Sequence, residues 1–253
     1  MKVVIIGAGN VATHLAKAFK AVNVQVTQVW SYHYENALIL AKQVDATAIK
    51  ELSALDTAAN LCLIAVKDDA IAEILPQLTD FKGIVAHTSG AVNIDVFQSI
   101  IKNYGVFYPL QTFSKGKAVN FSNIPLCVEA NDENTLTVLK KFANKLSVNV
   151  TEVNSEKRKI LHLSAVFACN FTNHLFALAQ EILIINGLDF DILRPLIAET
   201  ANKVQDNLPL NVQTGPAIRN DNETIKKHEQ LLKGQPAILE IYKTLSNSIK
   251  NNR

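Results

Sequence analysis

Four apolar residues in a row, Val3-Val4-Ile5-Ile6, begin almost at the N-terminus and run straight into Gly7-Ala8-Gly9. Alternate residues of a strand point to opposite faces, so an unbroken apolar run suits a central parallel strand that is covered on both sides. From Asn10 to Ala21 the apolar residues Val11, Leu15, Ala18 and Phe19 recur at helical spacing. A strand, a glycine turn and an amphipathic helix open a parallel crossover unit, which commits the chain to a sheet with helices on its faces.

The alternation continues. Strand-like stretches lie at 24–30, 61–66, 83–87, 106–108, 126–129 and 148–153, with helical patterns at 35–43, 69–78, 94–102 and 133–146. From residue 155 only helical patterns remain. Asn154 or Ser155 can cap a helix that carries its apolar residues to Ile185 and stops at Asn186-Gly187. Further helices are expected at 191–207, with Pro195 a candidate for the true start, and at 222–233 and 237–250. The expected fold is therefore α/β: residues 1–153 form an N-terminal doubly wound parallel Rossmann sheet, and residues 154–253 an all-α C-terminal domain. The helix over 155–185 would run on the order of 45 Å at about 1.5 Å per residue. It is apolar on most sides, which calls for cover by a second subunit, so the helical domain is expected to form a homodimer.

Composition narrows the class. Of 253 residues, 48% are hydrophobic and 19% charged, enough apolar material for a large core and too much for a disordered chain. A net charge of +2 is too mild for an electrostatic nucleic-acid binder. No apolar run reaches the roughly 20 residues of a membrane span, and the N-terminal run is too short for a signal peptide. Cys62, Cys127 and Cys169 are odd in number and lack metal-ligand spacing. They read as reduced thiols of a cytoplasmic protein, and no metal site is expected.

Gly7-Ala8-Gly9-Asn10-Val11-Ala12 fits G-x-G-x-x-A between a strand and a helix. Gly7 allows the tight turn, Gly9 lets the backbone approach a pyrophosphate, Ala12 keeps the helix near the sheet, and free N–H groups at the helix start receive phosphate charge. The second strand ends Val29-Trp30-Ser31-Tyr32-His33 without an acid to hold the ribose hydroxyls of NAD. With Ser31 as a hydroxyl donor, that favours NADP over NAD. Val66-Lys67, after a later strand, should border the cofactor, unless Lys67 is merely solvated and Asp68 or Asp69 a helix cap. His87-Thr88-Ser89-Gly90 is polar at a strand tip: Thr88 is placed beside the cofactor and His87, Ser89 and Gly90 beside substrate. The alternative is that Thr88 and Ser89 satisfy the turn and that His87 is a buried core histidine. Tyr108-Pro109-Leu110-Gln111-Thr112 is equally a turn or a pocket wall.

His162, Asn170 and His174 are eight and four residues apart, on one side of the apolar helix. His162 could protonate a carbonyl oxygen as hydride arrives, with Asn170 bonding the same oxygen. They could equally pair across a dimer interface. Arg219, one of four arginines, stands before Asn220 and Asp221, which can cap the next helix. It is either an anion clamp for substrate or a structural ion pair.

The segments IGAGNVATHLA, VKDDAI, HTSGA, FYPLQTF, HLSAVFACNFTNHL and TGPAIRND together resemble a family of Rossmann-like proteins with a helical C-terminal half. These are often labelled NADP oxidoreductases of the deazaflavin-coenzyme-dependent type. More distantly the chain is similar to pyrroline-5-carboxylate reductases, ketopantoate reductases and β-hydroxyacid dehydrogenases. That resemblance implies a C-terminal domain like that of 6-phosphogluconate dehydrogenase, dimerising through its helices. Hydroxyacid and ketopantoate enzymes carry a Lys four residues before an Asn on the catalytic helix. Asn170 matches the Asn, but Val166 stands at the Lys position. The reading is an NADP-dependent reductase of a small, anionic carbonyl or imine compound. The alternatives are a non-catalytic dinucleotide-binding sensor or partner-binding dimer, and hydride exchange between NADP and a deazaflavin.

Overall fold

In the computed structural model, which describes residues 1–251, the N-terminal apolar run is strand β1 (Lys2–Ile6). It is followed by α1 (Asn10–Ala21), β2 (Gln25–Trp30), α2 (Tyr34–Gln43), β3 (Thr47–Ile49), β4 (Leu61–Ile64) and α3 (Asp68–Ile74). Then come β5 (Ile84–His87), β6 (Tyr104–Pro109), β7 (Leu126–Ala130), α4 (Glu133–Leu146), β8 (Val150–Glu152) and α5 (Ser155–Ala165). The eight strands form one sheet in the order β3-β2-β1-β4-β5-β6-β7-β8. Its first six positions follow the doubly wound order, with the reversal between β1 and β4.

The strict alternation of β1 builds a core on each face. Val3 and Ile5 join Leu15 and Phe19 of α1, Leu40 of α2 and Leu139 and Phe142 of α4. Val4 and Ile6 join Ile71 and Ile74 of α3, with Val85 and Phe97. Behind β6 and β7, Val106, Tyr108 and Cys127 are covered in part by Leu161 of α5.

Four expectations need correction. The sheet is not wholly parallel: β7 runs antiparallel to β6. Residues 110–125 hold only a 3-10 turn, so the chain returns without the helical crossover a parallel neighbour requires. The expected helix at 94–102 is a single 3-10 turn, Ile94–Phe97, and Ser99 is left-handed at φ 63°. The helix at 69–78 loosens into a 3-10 turn over Leu75–Leu78, where Pro76 has no N–H to donate. The apolar helix of 155–185 is three segments: α5, a π-helical Val166–Phe171, and α6 (Thr172–Ile185). Strand β3 is an element the periodicity did not announce.

The chain divides into two compact units, Met1–Asn170 and the residues from Phe171 onward. The first therefore includes α5. The second holds α6, α7 (Arg194–Asp206), α8 (Asn222–Leu231) and α9 (Pro236–Asn251), with no strand among the described residues. Gly187, at φ 70°, ends α6: its N–H reaches the Ile184 carbonyl and that of Leu188 the Leu183 carbonyl. Pro195 lies in the first turn of α7. No helix of the described residues is long and apolar enough to cross a membrane.

Candidate nucleotide cleft and the histidine beside it

Beyond the carboxyl ends of β1 and β4 lies a cleft of about 950 Å³ within the first unit. Gly7 closes its floor. Its φ is +120°, and a Cβ there would stand 2.2 Å from the Ala65 carbonyl oxygen, so only glycine lets β1 turn this close to the end of β4. The Gly7 N–H donates to the Trp30 carbonyl at 2.7 Å, tying in the tip of β2. Gly9 is the N-cap residue of α1, and a Cβ built on it would meet nothing within 4 Å.

Two helix N-termini border this cleft, and their chemistry differs. That of α1 has no side-chain cap and no acid in its first turn. That of α3 carries Asp68 and Asp69 in its first turn, with Lys67, not either aspartate, as N-cap residue. The carboxylates offset the helix dipole at α3, whereas at α1 it stays available to an outside anion. Gly7, Gly9, Asn10, Val11, Ser31, Val66, Lys67 and Thr88, all named from the sequence as cofactor candidates, line the cleft. Ala12 does not. It is fully buried between α1 and the sheet, the packing part of its expected role. The Asn10 side-chain amide NH2 is engaged elsewhere, donating to the Phe113 carbonyl at 2.9 Å. Trp30, Glu73 and Gln77 also line the cleft; Glu73 of α3 and Gln77 of the 3-10 turn that follows it are contributions that sequence reasoning missed.

At the tip of β5 the four polar positions separate. Thr88 hydrogen-bonds the Ile64 carbonyl through both its N–H and its hydroxyl, and the Ser89 hydroxyl accepts from Ala91 and Val92 N–H. Both nevertheless border the cleft. His87 does not, which corrects its assignment to substrate. It is fully buried, stacked on Phe97 at 5.5 Å, and its Nδ1 accepts from the Ser89 N–H. Burial, aided by the charge of Arg158, lowers its pKa to about 3, so the ring is a neutral core residue. Gly90 is buried under the ring of His162, where a Cβ would stand 2.7 Å from Cγ and Nδ1. It holds a neighbouring side chain and is not on the cleft wall.

His162 reaches that place because α5 is anchored seven residues earlier. Asn154 caps the helix by accepting from the Lys157 N–H. Ser155 donates to the Glu129 carboxylate through its N–H and its hydroxyl, each at 2.8 Å, and accepts from the Ile94 N–H. Arg158, with no exposed surface, pairs with Glu129 and donates to the Val92 carbonyl. Seven residues of helix advance about 10 Å. Glu129 pairs with Val106 across the sheet, and two residues along β6 bring the strand to Tyr108, about 7 Å further. There the Tyr108 hydroxyl and His162 Nδ1 are 3.0 Å apart. Burial, the largest influence, pushes the phenol up to about 12, so it stays protonated at neutral pH.

Asn170 is exposed, lies in the π-helical turn and does not border the cleft. Arg219 belongs to the second unit and is exposed. The cap of α8 is Asp221, which accepts from the Thr224 N–H and hydroxyl; Asn220 is instead left-handed at φ 55°. No group of His, Cys, Asp and Glu suited to a metal ion occurs among the described residues.

The strand order, the glycine turn and the helical second unit define a Rossmann-like protein. Residues 1–111 match the Rossmann-like domain family, and residues 124–249 match a domain of unknown function, DUF2520. The crystal structure of a "putative NADP oxidoreductase" from Bacteroides fragilis is 43% identical, covers 99% of this chain and 98% of its own, and superposes with a TM-score of 0.95. The chain belongs to that family of Rossmann-like proteins with a DUF2520 C-terminal domain. A Thermotoga maritima protein (20% identity, 98% and 97% coverage, TM-score 0.73) shares the fold. So does a reductive aminase from Aspergillus terreus, solved with NADPH and ethyl levulinate (14% identity, 99% and 92% coverage, TM-score 0.76). Comparison with curated proteins finds no match.

Proposed function

We propose that this protein is an NADP-dependent reductase of a small, anionic carbonyl or imine compound. One observation carries the reading: the residues expected to hold a dinucleotide converge on a single cleft, at the helix N-terminus left free of caps and acids. The name of the Bacteroides fragilis relative and the NADPH in the Aspergillus terreus complex support it. Gly7, Gly9 and the first N–H groups of α1 take the pyrophosphate, and Ser31 the end of the cleft where NADP carries its additional phosphate. Bound NADPH supplies a hydride with its electron pair and is oxidised to NADP⁺. His162 Nε2–H hydrogen-bonds the oxygen or nitrogen of the C=O or C=N bond; when the ring carries a second proton taken from solvent, it passes the Nε2 proton to that atom as hydride arrives and is left neutral. Arg219, exposed on the second unit and near enough to Asp221 to help lower that carboxyl's pKa, is the guanidinium this reading assigns to an anionic substrate group.

The protein acts as a homodimer in this reading, through helices of the second unit, where Ile184, Ile185, Ile192 and Leu196 are exposed on the single chain. Cys62, Cys127 and Cys169 are free thiols, which suits a reducing compartment such as the cytoplasm.

Thermal unfolding with NADPH, NADH or neither tests the cofactor. Ligand at about 100 times its dissociation constant adds roughly 2.7 kcal/mol, and the larger shift is expected with NADPH. In Ser31→Asp the carboxylate repels the extra phosphate and holds ribose hydroxyls, so the preference should turn to NADH. The absence of any shift in the wild-type protein would move the reading to a non-catalytic dimer.

A further inference from the structure

The contact between Tyr108 and His162 has two independent supports. The Tyr108 hydroxyl lies 3.0 Å from Nδ1, and Gly90 is the residue whose missing Cβ leaves room for that same nitrogen. Gly90 has no left-handed backbone to explain it, so space is its reason. The direction of the bond follows from accounting for hydrogens. Tyr108 is 8% exposed, and its hydroxyl has one partner among the described residues, His162. Were Nδ1–H the donor, the phenolic hydrogen would be left without a protein acceptor, which is unfavourable for a buried hydroxyl. With the phenol donating into Nδ1, both atoms are satisfied, and the neutral ring must carry its hydrogen on Nε2. Nε2 has no protein partner among the described residues.

We propose that Tyr108 is a positioning residue for His162 and Gly90 the space that admits it: together they lock the imidazole in the Nε2–H tautomer, leaving that hydrogen free for a ligand. What Nε2 meets rests on the reductase reading, in which it is the heteroatom of the reduced bond. The tautomer itself does not.

The test is ¹H–¹⁵N correlation of the histidine side chains in the full-length protein, at a pH where the imidazoles are neutral. His162 is assigned by its disappearance in His162→Gln. Wild type should show one tautomer, with Nε2 protonated and Nδ1 bare. Tyr108→Phe keeps the ring and loses the donor, so the Nδ1–H form should appear alongside. Gly90→Ala should do the same by displacing the imidazole. Should Gly90→Ala fail to fold, the other two spectra still decide. A wild-type Nδ1–H tautomer, or a Tyr108→Phe spectrum identical to wild type, would overturn the proposal. NADPH binding is read separately by thermal shift, so a failure there leaves this result standing, and the converse holds too.

Discussion

Arg158 is the best place to measure how the fold positions its chemistry. Its guanidinium has no exposed surface, pairs with Glu129, and donates to the Val92 carbonyl and to the Ser155 hydroxyl at 3.1 Å. Arg158→Met removes the charge and keeps most of the side-chain volume. The Glu129 carboxylate retains two donors from Ser155 but loses its countercharge, and the Val92 carbonyl loses its guanidinium donor. Breaking a buried pair on one side costs about 3–5 kcal/mol, of which an orphaned carbonyl alone accounts for roughly 1–3. At about 2–4 °C per kcal/mol for a unit of this size, unfolding should begin roughly 6–20 °C lower. Circular dichroism on heating and in urea would read it. Adding Glu129→Gln removes the stranded charge, so the double variant should lose less than the sum of the two single ones, a coupling of about 0.5–3 kcal/mol. A loss under about 1 kcal/mol for Arg158→Met, or strict additivity, would refute the argument that this pair anchors α5.

Acid sensitivity should come partly from His87, whose pKa falls from 6.5 unfolded to about 3 folded. Above pH 6.5 the ring is neutral in both states. Between 6.5 and about 3 only the unfolded chain takes up the proton, so stability drops by about 1.4 kcal/mol per pH unit. His87→Asn keeps an acceptor for the Ser89 N–H without titrating. From pH 7 to 5 wild type should therefore lose about 2 kcal/mol more than the variant in urea unfolding, and equal losses would place the histidine outside the core. Ile184→Glu combined with Ile192→Glu charges the exposed apolar face of the second unit, and sedimentation equilibrium should show a dimer becoming a monomer. A wild-type chain that is already monomeric at micromolar concentration would remove the dimer from the proposal.

Wherever a local pattern carries the information, sequence and structure coincide. The apolar run before Gly7, the helical spacing from Asn10 to Ala21 and the stretch Glu133–Leu146 recur as β1, α1 and α4. Most of the residues lining the cleft were legible for the same reason, since a glycine turn between a strand and a helix is a local conformational requirement and strand tips follow from strand positions. Shorter or weaker patterns failed. Three residues of β3 are too few for a period, and residues 94–102 have a helical apolar spacing that the extended Gln98 and left-handed Ser99 cut short.

What tertiary structure alone decided is which distant side chains meet. His87 is polar at a strand tip and reads as functional, yet stacking on Phe97 takes it into the core. Glu129 and Arg158 are 29 residues apart, and Tyr108 and His162 are 54 apart. Neither pairing is visible in the separate segments, because an isolated charge or hydroxyl in sequence says nothing about its partner. Their meeting depends on β7 turning back antiparallel beside β6 and on the point where α5 is pinned. Periodicity fixes the faces of single elements; the pairing of polar groups, and with it the placement of His162, comes only when those elements pack.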